Sequence, residues 1–183
     1  MNYIIVDLEA TCIENRQPDF ISEIIEIGAV KVNEFGEIID TFECFVKPTI
    51  NPILSDFCKT LTSITQKNVD TGLERKTALN NFIDFCGKDC TLLSWGGYDK
   101  NQLNKELRKC KLPTYITDNH VNLKEKFANI LSLPKQCGMA KALNIAKIKL
   151  TGTHHRGIDD AKNITKIFQK YLDDFKNEIK KPT

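Results

Sequence analysis

The spacing of hydrophobic and polar positions changes along this chain, and each change predicts an element. Tyr3-Ile4-Ile5-Val6-Asp7-Leu8-Glu9 is a β-branched run expected to form a buried strand. Residues two apart on a strand share a face, so Asp7 and Glu9 project together. Residues 24–32 and 38–46 read as two more strands, joined through Asn33, Glu34, Phe35 and Gly36 as an antiparallel hairpin. Pro48 and Pro52 mark a loop, residues 55–61 a short helix or turn, and residues 77–86 a helix closed by Gly87. Residues 91–95 predict a fourth strand leading into a helix headed by Asp99. Residues 119–123 predict a fifth, followed by helices around 124–131 and 137–143. A last helix begins near Asp160, and residues 176–183 read as a polar, frayed tail behind a single α/β domain over 1–175.

Helical spacing also separates inward from outward acids. From Asp99, Leu103, Leu107 and Cys110 fall at i+4, i+8 and i+11, one apolar stripe headed by the acid. From Asp160, Ile164, Ile167, Phe168 and Tyr171 do the same, whereas Asp159 lies in line with Asn163, Lys166 and Lys170, a face suited to water. Two carboxylates on a core strand and two at the starts of core-facing helices can converge on one pocket. Each aspartate taken alone fits a helix N-terminal residue favoured by the macrodipole. Unpaired charge in a low-dielectric site is costly, and the simplest compensation for the set is a divalent cation.

A length of 183 residues with 41% hydrophobic content accommodates one domain with a full core. The chain has no apolar stretch long enough to span a bilayer and no secretory signal pattern, so a cytoplasmic protein with no membrane partner is expected. Seven scattered cysteines without a C-x-x-C pair argue against a disulfide framework and against a zinc site. Net charge is only +2, but residues 1–90 hold 8 Lys and Arg against 15 Asp and Glu, and residues 91–183 hold 18 against 9. Many of these lysines read as solvated helix faces. Lys135, Lys141, Lys147, Lys149, His154 and Arg156 instead cluster just ahead of His155, where they can flank a phosphate backbone.

The strings DLEATC (7–12), EIIEIGAV (23–30), LSDFCKTLTSIT (54–65), SWGGYDKNQL (94–103) and HRGIDDAKNI (155–164) resemble the DEDDh 3′-to-5′ exonucleases, the superfamily of RNase T and the DNA polymerase III proofreading subunit. Within it they are most similar to the histone-mRNA 3′ exonuclease, or enhanced-RNA-interference, branch. The resemblance runs from about Tyr3 to Tyr171. It implies a ribonuclease H-like fold, a mixed five-stranded sheet flanked by helices.

By the family pattern, Asp7 bridges two metal ions, Glu9 and Asp160 complete one site, Asp99 acts largely through water on the other, and His155 is the general base. Oxygen ligands favour Mg²⁺ or Mn²⁺ over zinc. H-x-x-x-x-D fits His154 with Asp159 as well as His155 with Asp160; the inward face of Asp160 selects the second, leaving His154 as a loop residue or phosphate contact. Gly157 is expected to let the chain turn between base and helix. Tyr98 and Phe57 correspond to terminal-base stacking residues, although Phe57 fits the core equally well. Leu61 is placed as a wedge beside that base, the backbone near Ala10 and Thr11 against its sugar, and Arg156 among the substrate contacts, while Trp95 reads as packing. Because the resemblance starts at about Tyr3, recognition of a stem-loop by a separate module ahead of the core, found in some members of the branch, is not expected.

The expected activity is release of nucleoside 5′-monophosphates from single-stranded RNA 3′ ends. The alternatives are a DNA 3′ exonuclease of the proofreading or repair kind, a catalytically silent nucleic-acid-binding subunit, or an adaptor using its surface alone.

Overall fold

The structure, a computed structural model, describes residues 2–15 and 17–180. Five strands, β1 (Asn2–Ala10), β2 (Ile24–Val32), β3 (Ile38–Phe45), β4 (Cys90–Ser94) and β5 (His120–Asn122), form one mixed sheet in the order β3-β2-β1-β4-β5. β2 is antiparallel to β1 and β3, and β4 is parallel to β1 and β5. The β2–β3 hairpin forms as expected: Asn33 N–H donates to the Glu37 carbonyl at 3.0 Å, and Gly36 takes the left-handed φ of 84° that the turn requires.

Among the described residues the sheet is joined by eight α-helices, α1 (Asp56–Thr62), α2 (Gln66–Asp70), α3 (Arg75–Cys86), α4 (Tyr98–Lys109), α5 (Leu123–Ile130), α6 (Met139–Ile145), α7 (Gly157–Lys170) and α8 (Leu172–Lys180), and by a 3-10 turn at Tyr115–Thr117. No helix among the described residues is long and apolar enough to cross a membrane.

The alternation along β1 separates two cores. Ile4, Val6 and Leu8 face one way and pack with Leu79 and Phe82 of α3 and Leu103 and Leu107 of α4. Tyr3 and Ile5 face the other way and pack with Ile164, Ile167 and Phe168 of α7. The Tyr3 ring centroid lies 5.1 Å from that of Phe168. Asp7 and Glu9 continue the Tyr3–Ile5 row toward the N-terminal end of α7, where Asp160 sits. The period of two therefore carries both carboxylates to the α7 side.

Helix α7 reaches the sheet through two glycines. A Cβ on Gly28 of β2 would stand 2.1 Å from the Gly157 carbonyl carbon, and one on Gly157 would stand 2.9 Å from the Asp7 carbonyl oxygen. Gly157 is thus helical and serves close approach; the left-handed residue that turns the chain is His155, at φ 65°. Gly28→Ala is expected to cost at least about 3 kcal/mol by overpacking. Calorimetry should record a fall in Tm of roughly 6–12 °C for a domain of this size.

Two further expectations change. Residues 176–180 do not fray but continue α8, because Phe175 is fully buried and Ile179 packs against the same core; residues 181–183 lie outside the described residues. Asn163 does not face water either. It is fully buried, accepts from Thr151 N–H at 3.1 Å and donates to the Thr151 carbonyl at 2.8 Å, tying α7 to the segment before the histidines.

Candidate active site

A cleft of about 300 Å³ opens at the end of β1, lined by Asp7, Leu8, Glu9, Trp95, Tyr98, Asp99, Met139, His154, His155 and Asp160. All five residues of the expected catalytic set line it. Carboxylate oxygens of Asp7, Glu9 and Asp160 lie within 4.8 Å of one another. Asp99 stands outside that trio. Strand β1 pairs with β4 only from Asn2 to Ile5, so the Leu8 N–H further along is left to donate to Asp99 Oδ1 at 3.1 Å. Helix α4 from one layer and helix α7 from the other thereby deliver their first-turn aspartates to the same strand end.

Asp7, Glu9 and Asp99 are acids without an ion-pair partner among the described residues. Burial, then Asp99, Glu9 and Asp160, raise the Asp7 pKa well above the carboxylate range. Burial and Glu26 push Glu9 up to about 9, and burial raises Asp99 to about 6 despite its bond from Leu8. Among the described residues, no cationic side chain forms an ion pair with the Asp7 or Glu9 carboxylate. Such a cluster is stable with its charge intact only if cations neutralise it. The donor set is hard oxygen, which suits a divalent ion such as Mg²⁺ or Mn²⁺.

The two histidines have different surroundings. His154 Nδ1 lies 2.9 Å from Asp160 Oδ2, and its ring stacks on that of His155 with centroids 4.0 Å apart. The His155 backbone N–H donates to the same carboxylate oxygen at 3.0 Å, while its ring makes no hydrogen bond among the described residues. Burial and the neighbouring His154 lower the His155 pKa below the usual histidine value. The imidazole is therefore neutral at physiological pH and able to accept a proton.

Glu26 was not singled out from the sequence, although an acid inside the apolar run IIEIGAV was the available signal. It is fully buried opposite Glu9. It accepts the Gly157 N–H at 3.0 Å at the start of α7, where an anion is favoured by the helix dipole. Its counterion is Arg156, whose Nε lies 3.1 Å away and whose Nη2 reaches Glu43 at 3.1 Å, with the guanidinium over Phe45. Arg156 thus faces β2 and β3 and is not among the cleft residues. Arg156→Ala leaves the Glu26 charge buried and unpaired, so a loss of about 3–5 kcal/mol in denaturant unfolding is expected. A raised KM with unchanged stability would instead make Arg156 a substrate contact.

The remaining expected contacts are spread more widely. Tyr98 lines the cleft and is 54% exposed. Phe57 and Leu61, each 37% exposed, sit one turn apart on α1 and are not among the cleft residues; Phe57 is not core. Cys58 between them is buried with its Sγ 3.8 Å from the Ala10 carbonyl, which holds α1 beside the end of β1. Thr11 is tied to Glu23, donating its N–H to the carbonyl at 2.8 Å and accepting the Glu23 N–H at 3.0 Å. Trp95 packs on Phe127 and donates Nε1–H to the Cys137 carbonyl at 2.9 Å, yet it also forms a wall of the cleft with Met139.

Comparison with known proteins agrees with this geometry. 3′-5′ exoribonuclease 1 of Homo sapiens is 35% identical over 182 residues, covering 93% of this chain and 52% of the relative. This chain spans about half the length of the exoribonuclease relatives it matches there. The probable 3′-5′ exonuclease KapD of Bacillus subtilis (strain 168) is 30% identical over 182 residues, covering 98% of this chain and 88% of KapD. The crystallographic structure of the nuclease domain of 3′hExo, a DEDDh family member bound to rAMP, superimposes with a TM-score of 0.87 at 34% identity, covering 94% of this chain and 92% of that one. DEDDh exonucleases depend on divalent metal ions, and the acidic trio is suited to one. The exonuclease family model of RNase T matches residues 4–168, nearly all of the described chain, and the protein belongs to that family.

Proposed function

We propose that this protein is a 3′-to-5′ exoribonuclease that hydrolyses single-stranded RNA from its 3′ end and releases nucleoside 5′-monophosphates, using two Mg²⁺ or Mn²⁺ ions. The observation that carries this reading is the meeting, in one cleft, of the Asp7, Glu9 and Asp160 carboxylates with a histidine, His155, whose ring nitrogens make no hydrogen bond among the described residues.

Asp7, Glu9 and Asp160 would hold one ion, and Asp7 with Asp99 the other. Bound there, the ions supply positive charge to a phosphodiester that gains negative charge during hydrolysis. His155 takes a proton from the attacking water as its oxygen bonds to phosphorus. The bond from phosphorus to the 3′-oxygen of the penultimate nucleotide breaks, and that oxygen takes a proton from solvent to become a new 3′-hydroxyl. The imidazole, now protonated, returns its proton to solvent. His154 and the His155 N–H hold the Asp160 carboxylate in orientation, and the Leu8 N–H does so for Asp99. Tyr98 at the rim, with Phe57 and Leu61 on α1, offers apolar surface to the terminal base, in which stacking is worth about 1–3 kcal/mol. The 3′hExo nuclease domain, solved with rAMP, supports a nucleoside 5′-monophosphate as product here.

The test is a set of oligonucleotides labelled at the 5′ end. With Mg²⁺, unblocked RNA should give a ladder shortening from the 3′ end, a 3′-phosphate should stop it, and a 5′-phosphate should make no difference. Matched DNA should be degraded more slowly, because contacts to the 2′-hydroxyl distinguish the two polymers. Cleavage of circular RNA, or faster digestion of DNA, would overturn the respective part of the assignment.

A further inference from the structure

We propose that a groove beside the cleft, lined by Leu133, Pro134, Lys135, Cys137, Lys141 and Ile145, carries the phosphodiester backbone of nucleotides upstream of the terminal one. The inference rests on the exonuclease reading for its substrate and on separate observations for its position.

The first is continuity. Trp95 and Met139 line the cleft, Cys137 lines the groove, and Trp95 is hydrogen-bonded to the Cys137 carbonyl. The two concavities therefore share the 137–139 segment as a common wall.

The second is charge. Between Glu125 and Asp159 the chain has no Asp or Glu, and it carries Lys126, Lys135, Lys141, Lys147, Lys149 and Arg156. Arg156 is occupied by Glu26 and Glu43. Lys135, Lys141, Lys147 and Lys149 are exposed, and among the described residues none has an ion pair or a hydrogen bond through Nζ. Other lysines of the same half are bound within the fold: Lys166 to Asn163, Lys170 to the Ala146 carbonyl and Lys176 to the Glu34 carbonyl. Four unpaired, exposed lysines therefore stand within one acid-free segment, two of them on the groove.

The third is the composition of the groove itself. A strand entering a cleft of four carboxylates is repelled along any acidic surface. The groove has no acid in its lining and combines two ammonium groups with apolar surface from Leu133, Pro134 and Ile145. That pairing of charge with apolar contact is the one single-strand binders use.

The experiment measures fluorescence anisotropy of a 5′-labelled 12-residue oligouridylate with the full chain in EDTA, so that no cleavage enters. Lys135→Ala/Lys141→Ala should bind about tenfold more weakly at low salt. Its slope of log affinity against log salt should be shallower by about 1.4, two phosphate contacts at about 0.7 each. Lys162→Ala, an exposed lysine on α7, should bind as the wild type does, and all three proteins should melt together. Equal salt slopes for the double variant and wild type, or no binding by wild type, overturn the groove. Polyglutamate competing as well as unlabelled oligouridylate also overturns it, in favour of an acidic peptide. Failure of wild type to cleave RNA with Mg²⁺, with the salt slopes as expected, leaves the groove standing and overturns the exonuclease reading instead.

Discussion

Asp7→Asn is expected to lower kcat by about a thousandfold and, in the metal-free protein, to raise Tm at pH 8. The kinetic loss follows from removing the carboxylate at the centre of the trio. Charge stabilisation by bound cations is worth several kcal/mol, and about 4 kcal/mol is three decades in rate. The stability gain follows from the same geometry. Asp7 and Glu9 are acids whose folded pKa lies above the unfolded value, with Glu9 at about 9. The folded state therefore binds more protons than the unfolded one across that window. Stability is highest below the unfolded carboxylate pKa of about 4 and is lost as pH rises toward about 9. Metal-free wild type should melt lower at pH 8 than at pH 6, and the variant, with one charge fewer, should show a smaller difference. Mg²⁺ at pH 8 should stabilise wild type more than Asp7→Asn, since a ligand stabilises only the state that binds it. EDTA should abolish turnover reversibly. Undiminished kcat in the variant, or activity persisting in EDTA, would falsify the two-metal reading.

His155→Asn is expected to cost about 10²–10⁴-fold in kcat, the usual contribution of a general base. Asparagine is the appropriate replacement because His155 sits at φ 65°, a conformation that Asn tolerates and Ala resists. The loss then reports chemistry and not backbone strain. His154→Ala should lose much less, because its Nδ1 is engaged with Asp160 and its ring is displaced from the role by that bond. Wild-type kcat should fall as pH drops through and below the histidine range, where His155 becomes protonated, and this limb should vanish in His155→Asn. A larger kcat loss for His154→Ala than for His155→Asn would reverse the assignment and give the proton to His154.

The order of elements and the identity of the inward acids were legible in the chain because they depend on local periodicity. Period two along β1 put Asp7 and Glu9 on one face, and the stripes behind Asp99 and Asp160 marked those residues as facing the core. The β2–β3 hairpin followed from alternation and a turn that needs Gly36. What periodicity does not contain is which groups meet across the fold. Asn163 lies in line with lysines yet is buried by its bonds to Thr151, and α8 persists past Phe175 because Ile179 finds a core supplied by other elements. Gly157 looked like a turn residue, whereas the packing of α7 against Gly28 needs it for close approach and leaves the turn to His155. Arg156 carried a phosphate-binding expectation from its neighbours in sequence. Its partner, Glu26, lies 130 residues away, and a buried carboxylate takes the guanidinium before any substrate can. The sequence by itself therefore determined which side chains were available to the site and which way each faced on its own element. Only the tertiary structure decided which of them were already neutralised by a neighbour, because a charge's partner is set by distance in space, and that distance follows from long-range packing.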